Sequence, residues 1–578
     1  MPSGFSPTAV FESHDPASPS WTAVFGRPRA VRQADRPSQV RPLLDFLEDH
    51  VRQGRWGVLL LSYEAGPVLN PSLVSHPVGD FPLAWAAVFD RRARRAPIPG
   101  SEIHASSWRP KLSKESHSRA VRKIQSRIAR GDSYQVNFTF PCHARWRGDP
   151  WAWYRRLALA QGAPYSAFVD LGRWKVLSLS PELFFDRRGD LLTVRPMKGS
   201  APRGRWEEED RAFARGLGSS PKERAENVMI VDLLRNDLGK IARPGSVRTT
   251  GLFKMEPYPT LWQMTSEIKA RLRPGVGLTG MLEALFPSGS VTGAPKRKTM
   301  EIIKELETVP RGLYTGTLGL LRPDGHWTFN VPIRTLTLDT RTGRASCPVG
   351  SGITAASRPG AEYRECLLKR DFLNAPAFDL LETLRLEDGR WFLLPGHLRR
   401  LRRSAERMGF PWDEGRVRAR LHKEAGHHPK GRWKVRLLLS RDGSVNVQAE
   451  KLDPTDAPWR VALARTPVDE GDLFLYHKTT RRDVYDRQRR AHPGADDVIL
   501  WNRRGELTES TWANLVLQIG GKRYTPPVPC GLLGGVFREN LLRRGQVSER
   551  FLRRVDLLRA EKVFLINSVR GWVSVLLS

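Results

Sequence analysis

Four glutamates stand in two pairs. Glu223 and Glu226 lie three positions apart in "PKERAENVMIVDLLRNDLGKIA" (221–242), and Glu362 and Glu365 lie three apart in "AEYRECLLKRDFL" (361–373). Both stretches read as helices, and positions i and i+3 of a helix share a face. Two such pairs, converging, would offer hard oxygen ligands to Mg2+, a cation commonly held by one or two carboxylates with water completing its octahedron. The same spacing occurs on solvated helix faces, so the pairs alone leave both readings open. Lys198 raises a second question. It sits in "VRPMKGSAPRG" (194–204), between Pro-Met and Gly-Ser. It is either one surface cation among 94 lysines and arginines, or an amine held in a tight turn as a nucleophile.

The elements that must position these residues follow from periodicity. Residues 1–110 alternate short apolar runs ("WGVLLLSYEAG", "FPLAWAAVFD") with Pro/Gly turns, which predicts strands and hairpins. Ala120, Val121, Ile124 and Ile128 have helical spacing within 114–130, and Gly131 stops that helix. "SYQVNFTFPC" reads as a strand, and "GAPKRKTMEIIKELE" (293–307) as a helix. A hairpin and a new helix begin after "NAP" (374–376), the expected joint between a long first unit and a shorter second one. No internal repeat is present.

Composition bounds the function. A chain of 578 residues is too long for one core and suggests about two to four domains. No apolar run approaches the roughly 18–20 residues that a membrane span needs, and the first twenty residues lack the pattern of a secretory signal, so a cytoplasmic protein with no membrane partner is expected. Cys142, Cys347, Cys366 and Cys530 show no metal-ligand or disulfide spacing. The net charge of +33 raises the question of nucleic acid. Its clusters at 91–95, 397–403 and 487–490 are short and interspersed with acids, and no zinc-finger or RNA-binding pattern accompanies them. No nucleic-acid partner is expected; a basic protein also attracts small dianions and phosphorylated cofactors.

"KERAENVMIVDLLRNDLGKIARPGSV", "LFPSGSVTGAPKRKTMEIIKELE", "RGLYTGTLGLL", "IRTLTL" and "GSGITAASRPGAEYRECLLK" occur in that order. Together they closely resemble the chorismate-utilising family: anthranilate synthase component I, aminodeoxychorismate synthase component I, and isochorismate and salicylate synthases. The resemblance is strong over roughly residues 115–373. It implies a large two-sheet α/β fold, with a β-rich N-terminal part (1–110) and a chorismate-binding catalytic part (111–373). It implies Mg2+ held directly by Glu226 and Glu365, with Glu223 and Glu362 holding metal-bound waters, and gripping the ring carboxylate of chorismate. Tyr314 and Arg334 would clamp the enolpyruvyl carboxylate, with the backbone of Gly350 and Gly352 approaching the same anion. Glu182, in "LSLSPELFF", matches the acid that protonates the departing C4 hydroxyl, a role that needs a pKa raised by burial.

Two positions discriminate within that family. Water-adding members carry a lysine base where this chain has Gln135. Anthranilate synthases carry a small residue where this chain has Lys198, and aminodeoxychorismate synthases carry lysine. That resemblance implies attack by the Lys198 amine at C2 and entry of ammonia at C4. Gln263, in "WQMTSE", replaces a histidine usual in the family, so it can donate a hydrogen bond but is no proton carrier. No glutaminase nucleophile elbow is present, so nitrogen is expected from a separate glutamine amidotransferase subunit or from ammonia in solution.

Residues 374–578 contain "GDLFLYHKTTRRDVYD", "GELTESTWANLVLQIGG", "LLGGVFREN" and "INSVRGWVSV". These resemble fold-type IV pyridoxal-phosphate enzymes: branched-chain and D-amino-acid aminotransferases and aminodeoxychorismate lyase. The resemblance implies a small α+β subdomain plus a β-barrel-like subdomain, making the whole an α+β multidomain protein. Lys478 would bind the cofactor aldehyde and later move protons, and Glu509 would pair with the pyridine nitrogen. Arg400 and the backbone of Gly535, Val536 and Phe537 would hold the phosphate at a helix N-terminus. Asn567 and Arg570 would contact substrate. A homodimer through this part is expected. The fusion implies 4-aminobenzoate synthesis for folate: amination of chorismate at C4, then elimination of pyruvate. The alternative is an anthranilate synthase component I fused to an aminotransferase.

Overall fold

Every position of Ala84–Phe89 is buried, as is all of Trp56–Leu61 after its first residue. Alternate side chains of a strand point to opposite faces, so these strands are covered on both sides. Val58 and Leu60 face one apolar cluster with Trp85 and Ala87, whereas Leu59 and Leu61 face another with Ala84 and Ala86. Both strands lie inside a layered sandwich. The computed structural model describes residues 8–13, 21–93, 103–258, 261–374, 378–453 and 458–578. The chain divides into two compact units, residues 1–202 with 214–375 and residues 203–213 with 376–578.

The first unit contains two ten-stranded sheets with antiparallel pairings. One runs, neighbour to neighbour, through Gly293–Ala294, Gln135–Arg147, Arg344–Ile353, Thr335–Asp339, Trp174–Ser180, Tyr165–Asp170, Ala9–Glu12 and Ala23–Phe25. The other runs from Met197–Pro202 through Leu261–Arg271, Leu191–Arg195, Leu183–Arg188, His326–Asn330, Thr317–Leu321, Trp56–Leu61 and Ala84–Phe89 to Ala30–Ala34. Phe11, Phe25, Tyr165 and Val176 of the first meet Val58, Leu60, Leu318 and Leu320 of the second in one core. Helices Val40–Arg52, Pro221–Gly239 and Leu278–Leu285 cover the outer face of the second sheet. Helix Pro150–Gln161 covers the outer face of the first. The N-terminal strands are therefore woven into both sheets and do not fold as a part of their own.

The predicted helices are present as Lys114–Ala129, Pro221–Gly239, Lys296–Leu306 and Pro359–Leu368. Ser113 and Ser220 cap the first two through side-chain oxygens that accept backbone N–H groups. Gly293–Ala294, read as a helix start, instead pairs with Gln135–Val136 as a short strand. Helix Val40–Arg52 was not foreseen, although Val40, Leu43, Leu44, Leu47 and Val51 have helical spacing. Pro42 obscured it; a proline in a first helical turn removes no needed hydrogen bond.

The second unit has a four-stranded sheet (Arg390–Trp391, Leu380–Glu387, Arg432–Leu439, Val445–Lys451) packed against helices Leu394–Met408 and Glu414–His427. Its other sheet has eight strands, six of which close on themselves when Glu509 pairs with Asn514. This is the expected small α+β subdomain beside a barrel-like one. Residues 203–213 belong to this unit: Arg205 donates to the Glu470 carbonyl at 2.7 Å, and the Trp206 and Tyr476 rings lie 5.3 Å apart. The division is thus not a single cut. The joint at 374–376 lies outside the described residues beyond Asn374. Among the described residues no helix is long and apolar enough to cross a membrane, and the four cysteines are free and buried.

The core between the two sheets of the first unit sets its stability. Leu60→Ala, which opens a cavity there, is expected to cost about 2–5 kcal/mol, read as a lowered denaturant midpoint in the transition of that unit.

Candidate functional site

The first unit contains a cavity of about 290 Å³. Its lining includes Glu182, Lys198, Gln135, Gln263, Tyr314, Arg334, Gly350, Gly352 and all four glutamates of the two pairs. Every residue singled out in that unit therefore reaches one site. The topology explains why. The chain leaves the first sheet after Ser180 and enters the second at Leu183, so Pro181–Glu182 is a crossover. It returns between Asn330 and Thr335, which makes Arg334 part of the reverse crossover. The two crossovers bond to each other: Val331 N–H donates to the Glu182 carbonyl at 3.1 Å and Leu179 N–H to the Arg334 carbonyl at 3.1 Å.

Glu182 is 5% exposed. Burial pushes its carboxyl up to about 7, against a 2.5 Å hydrogen bond from Ser290 Oγ and the nearby charge of Lys198. Burial also holds the Lys198 ammonium below its ordinary value, with Glu182 and Glu226 opposing. The Lys198 carbonyl accepts from Asn227 Nδ2 at 3.4 Å, and the Gly199 carbonyl from Gln263 Nε2 at 2.9 Å. Gln263 thus spends a donor on the lysine turn. Gly199 has φ +87°, and a Cβ there would come within 3.0 Å of Glu223 Oε2, so glycine alone suits this close approach. At Gly352 a Cβ would lie 1.9 Å from Gln135 Nε2 and 3.4 Å from Lys198 Nζ.

Arg334 is held in the left-handed region at φ 50°, and Nη1 donates to Gln161 Oε1 at 3.3 Å. Among the described residues no carboxylate pairs with it. A half-buried guanidinium that has no carboxylate partner among the described residues and lines a cavity with Tyr314 suits a ligand carboxylate. The four glutamates also line the cavity. Glu226 is raised by burial and by its neighbours Glu223 and Glu362. Lys222 stands 3.8 Å from Glu226, and Lys369 lies 2.8 Å from Glu365. Among the described residues no three His, Cys, Asp or Glu are drawn together as a finished metal site. The donor set nonetheless fits a hard divalent cation: oxygen ligands only, with mutual repulsion that such a cation would relieve.

In the second unit, burial lowers Lys478 to about 8, reinforced by Arg400 and Arg482 and opposed by Glu382 and Glu509. Burial raises Glu509 to about 8. Its oxygens accept from Tyr485 Oη at 2.8 Å and Asn514 Nδ2 at 3.2 Å. Arg400 forks onto Glu382, with Nε to Oε1 at 2.8 Å and Nη2 to Oε2 at 2.6 Å, and its Nη1 faces the Gly534 carbonyl at 3.4 Å. Burial alone would raise Glu382; Arg400 and His397 overcome it and hold it at about 2. Gly535 is the N-cap of helix Val536–Arg543, and a Cβ there would meet Asn514 Oδ1 at 1.9 Å. The Phe537 side chain packs with Val516, Leu541 and Ile566, away from any cup, so only its backbone is available. These groups fit pyridoxal phosphate: an amine with lowered basicity, a buried acid, and a cation beside a helix N-terminus.

The Arg570 side chain is exposed, donates to the Asp453 carbonyl at 3.3 Å and lies over the Trp459 ring. Asn567 accepts the backbone N–H groups of Val569 and Arg570, the ordinary work of a turn. Residues that sequence reasoning passed over include Ser290, which lies inside the quoted "LFPSGSVTGAPK", and Lys369, which donates to the Gly350 carbonyl at 3.0 Å.

Residues 4–375 match the family described as chorismate binding enzyme, and residues 379–577 match amino-transferase class IV. Aminodeoxychorismate synthase component 1 of Klebsiella aerogenes is 43% identical over 295 residues, covering 51% of this chain and 64% of that one. Anthranilate synthase component 1 of Aquifex aeolicus is 37% identical over 263 residues, covering 46% and 53%. The chain thus spans less than two thirds of these relatives' length. Anthranilate synthase component I from Streptococcus pneumoniae TIGR4 shares the fold, with TM-score 0.53 and 24% identity over 64% of this chain and 92% of that one. The chain belongs to the chorismate binding enzyme family, joined to an amino-transferase class IV unit.

Proposed function

We propose that this chain makes 4-aminobenzoate from chorismate and ammonia in two steps, one in each unit. The observation that supports it most is the convergence of Lys198, Glu182 and Arg334 on one cavity. Arg334 and Tyr314 seat the enolpyruvyl carboxylate. When bound, Mg2+ on the four glutamates supplies a positive seat for the ring carboxylate. The Lys198 amine attacks C2 of the ring, both ring double bonds shift, and the C4 hydroxyl leaves as water with the Glu182 proton. Ammonia then adds at C4, both double bonds shift back, and Lys198 leaves C2 with its electron pair. A nucleophilic lysine thereby divides one difficult substitution into two easier ones, and nitrogen lands at C4. Ammonia comes from solution or from a separate glutamine amidotransferase, a partner consistent with the component 1 relatives.

In the second unit Lys478, Arg400, Glu509 and the amides of 535–537 would hold pyridoxal phosphate. That group, when bound, supplies an electron sink for carbanion chemistry. Lys478 takes the proton from C4, the enolpyruvyl group departs from C3 and is protonated to pyruvate, and the ring becomes aromatic. Lys478 is suited to carrying that proton because its pKa of about 8 lies near neutrality.

Product identification tests the whole scheme. Chorismate with Mg2+ and ammonium should give aminodeoxychorismate without pyridoxal phosphate and 4-aminobenzoate with it. Anthranilate as the main product would overturn the reading. Lys198→Ala should abolish C4 amination, and undiminished amination at low ammonia would return that lysine to a surface-charge role.

Glu182 acts protonated, so the amination rate should hold below its pKa of about 7 and fall as pH rises through it. Glu182→Gln should lower kcat by about 10²–10⁴-fold and remove that limb from the pH profile.

For the second unit, adding pyridoxal phosphate should produce a visible band from the lysine-linked cofactor. The band should be missing in Lys478→Ala, and its survival there would contradict the assignment.

A further inference from the structure

Arg311 is one of the most enclosed charges in the first unit, with its side chain 2% exposed beside Glu307 at 3%. A guanidinium carries five N–H groups in a fixed plane, and here five acceptors meet them. Nε donates to Glu307 Oε2 at 2.9 Å, and Nη2 to Glu307 Oε1 at 2.7 Å and the Asn137 carbonyl at 2.6 Å. Nη1 donates to the Val291 carbonyl at 2.9 Å and to Thr315 Oγ1 at 3.1 Å. The group also lies 4.5 Å over the Tyr63 ring. Its backbone is fixed as well: Glu64 accepts the N–H groups of Arg311 and Gly312 at 2.7 and 3.0 Å.

Each acceptor belongs to a segment that lines or supports the catalytic cavity. Asn137 is two residues beyond Gln135, on the strand that pairs with Gly350–Gly352. Val291 follows Ser290, the hydrogen-bond partner of Glu182. Thr315 follows Tyr314 and is a β-branched residue at φ 60°, a conformation that persists only where its surroundings impose it. Glu307 Oε1 also accepts from Thr139 N at 2.8 Å and Thr139 Oγ1 at 3.0 Å, and Thr139 is the cross-strand neighbour of Gly350. Arg311 is not among the residues lining the cavity.

We propose that Arg311 is the positioning residue of the first site: its planar fork sets the general acid's partner, the carboxylate clamp and the glycine strand relative to one another. The role rests on the chorismate-aminating reading above and goes beyond it. Lysine keeps the charge but has three donors on a flexible stem, so it cannot meet five acceptors held in one plane.

The test is Arg311→Lys in the full chain, assayed with chorismate, Mg2+ and ammonium. Misplacement on the scale of an ångström lowers kcat by about 10²-fold, and that loss is expected, with a smaller change in KM. The alkaline limb assigned to Glu182 should also move upward. The Ser290 bond favours the ionised carboxylate, and loosening it removes that preference. A merely structural role would reduce the folded fraction, read by near-ultraviolet circular dichroism, and scale the whole profile without moving the limb. A profile that overlays the wild type after correction for folded fraction would overturn the proposal. If Arg311→Lys does not fold, Thr315→Val removes one acceptor and keeps the shape. The same upward limb shift is expected with a smaller kcat loss, and an unmoved limb counts against the role. Wild-type protein that turns over no chorismate refutes the functional reading instead, so the two failures are distinguishable.

Discussion

An acid and an amine buried in one cavity can share a single proton count in two ways. Glu182 and Lys198 are either a carboxylate with an ammonium or a carboxylic acid with a free amine. The two arrangements hold equal numbers of protons and differ only in charge separation. Water favours the ions; a low-dielectric cavity favours the neutral pair, because desolvation penalises each charge. Burial is the leading influence on both residues, raising Glu182 and lowering Lys198, while their mutual attraction works against it. The neutral pair is also the one the proposed chemistry would need: an acid with a proton to give and an amine with an electron pair.

The second unit solves a similar problem with more charges. Lys478 is brought to about 8 by burial with two arginines nearby, while Glu382 neutralises one of them. Arg400 can therefore sit beside the lysine without being an isolated buried cation. Glu509 is the inverse case, a buried acid whose hydrogen bonds from Tyr485 and Asn514 do not offset its desolvation. A pyridinium N–H would supply the missing counter-charge. The Glu509–Asn514 pairing also closes the six-stranded ring, so the acid is fixed by the element that completes the barrel.

Much of the first site was legible because its residues sit in long, ordered motifs. Lys198, Glu182, Tyr314, Arg334 and the two glutamate pairs all reach the cavity. What could not be read was second-tier geometry. Ser290 and Arg311 are both inside quoted motifs, yet nothing local says that one serine touches Glu182 or that one guanidinium gathers Asn137, Val291 and Thr315. Those partners are separated by 108 and 174 residues of chain for Glu182 and Asn137. The transfer of residues 203–213 to the second unit was illegible for the same reason: it rests on distant partners such as Glu470 and Tyr476. Arg570 is a different case. Its flanking motif marks a turn, and a turn fixes backbone direction without fixing where a long exposed side chain goes.

Close backbone approach shapes the cavity. Gly199 brings the lysine strand against the helix of Glu223 and Glu226, and Gly352 lets the Gln135 amide occupy space that a Cβ would claim. An alanine at Gly352 would have to displace Gln135, because 1.9 Å is far inside contact distance. Gln135 lies on the strand that Arg311 holds through Asn137, and the same guanidinium reaches Val291, next to Ser290 and its partner Glu182. The glycines and the arginine are therefore parts of one constraint. The glycines let the backbones come close, and the guanidinium holds the segments around them in register.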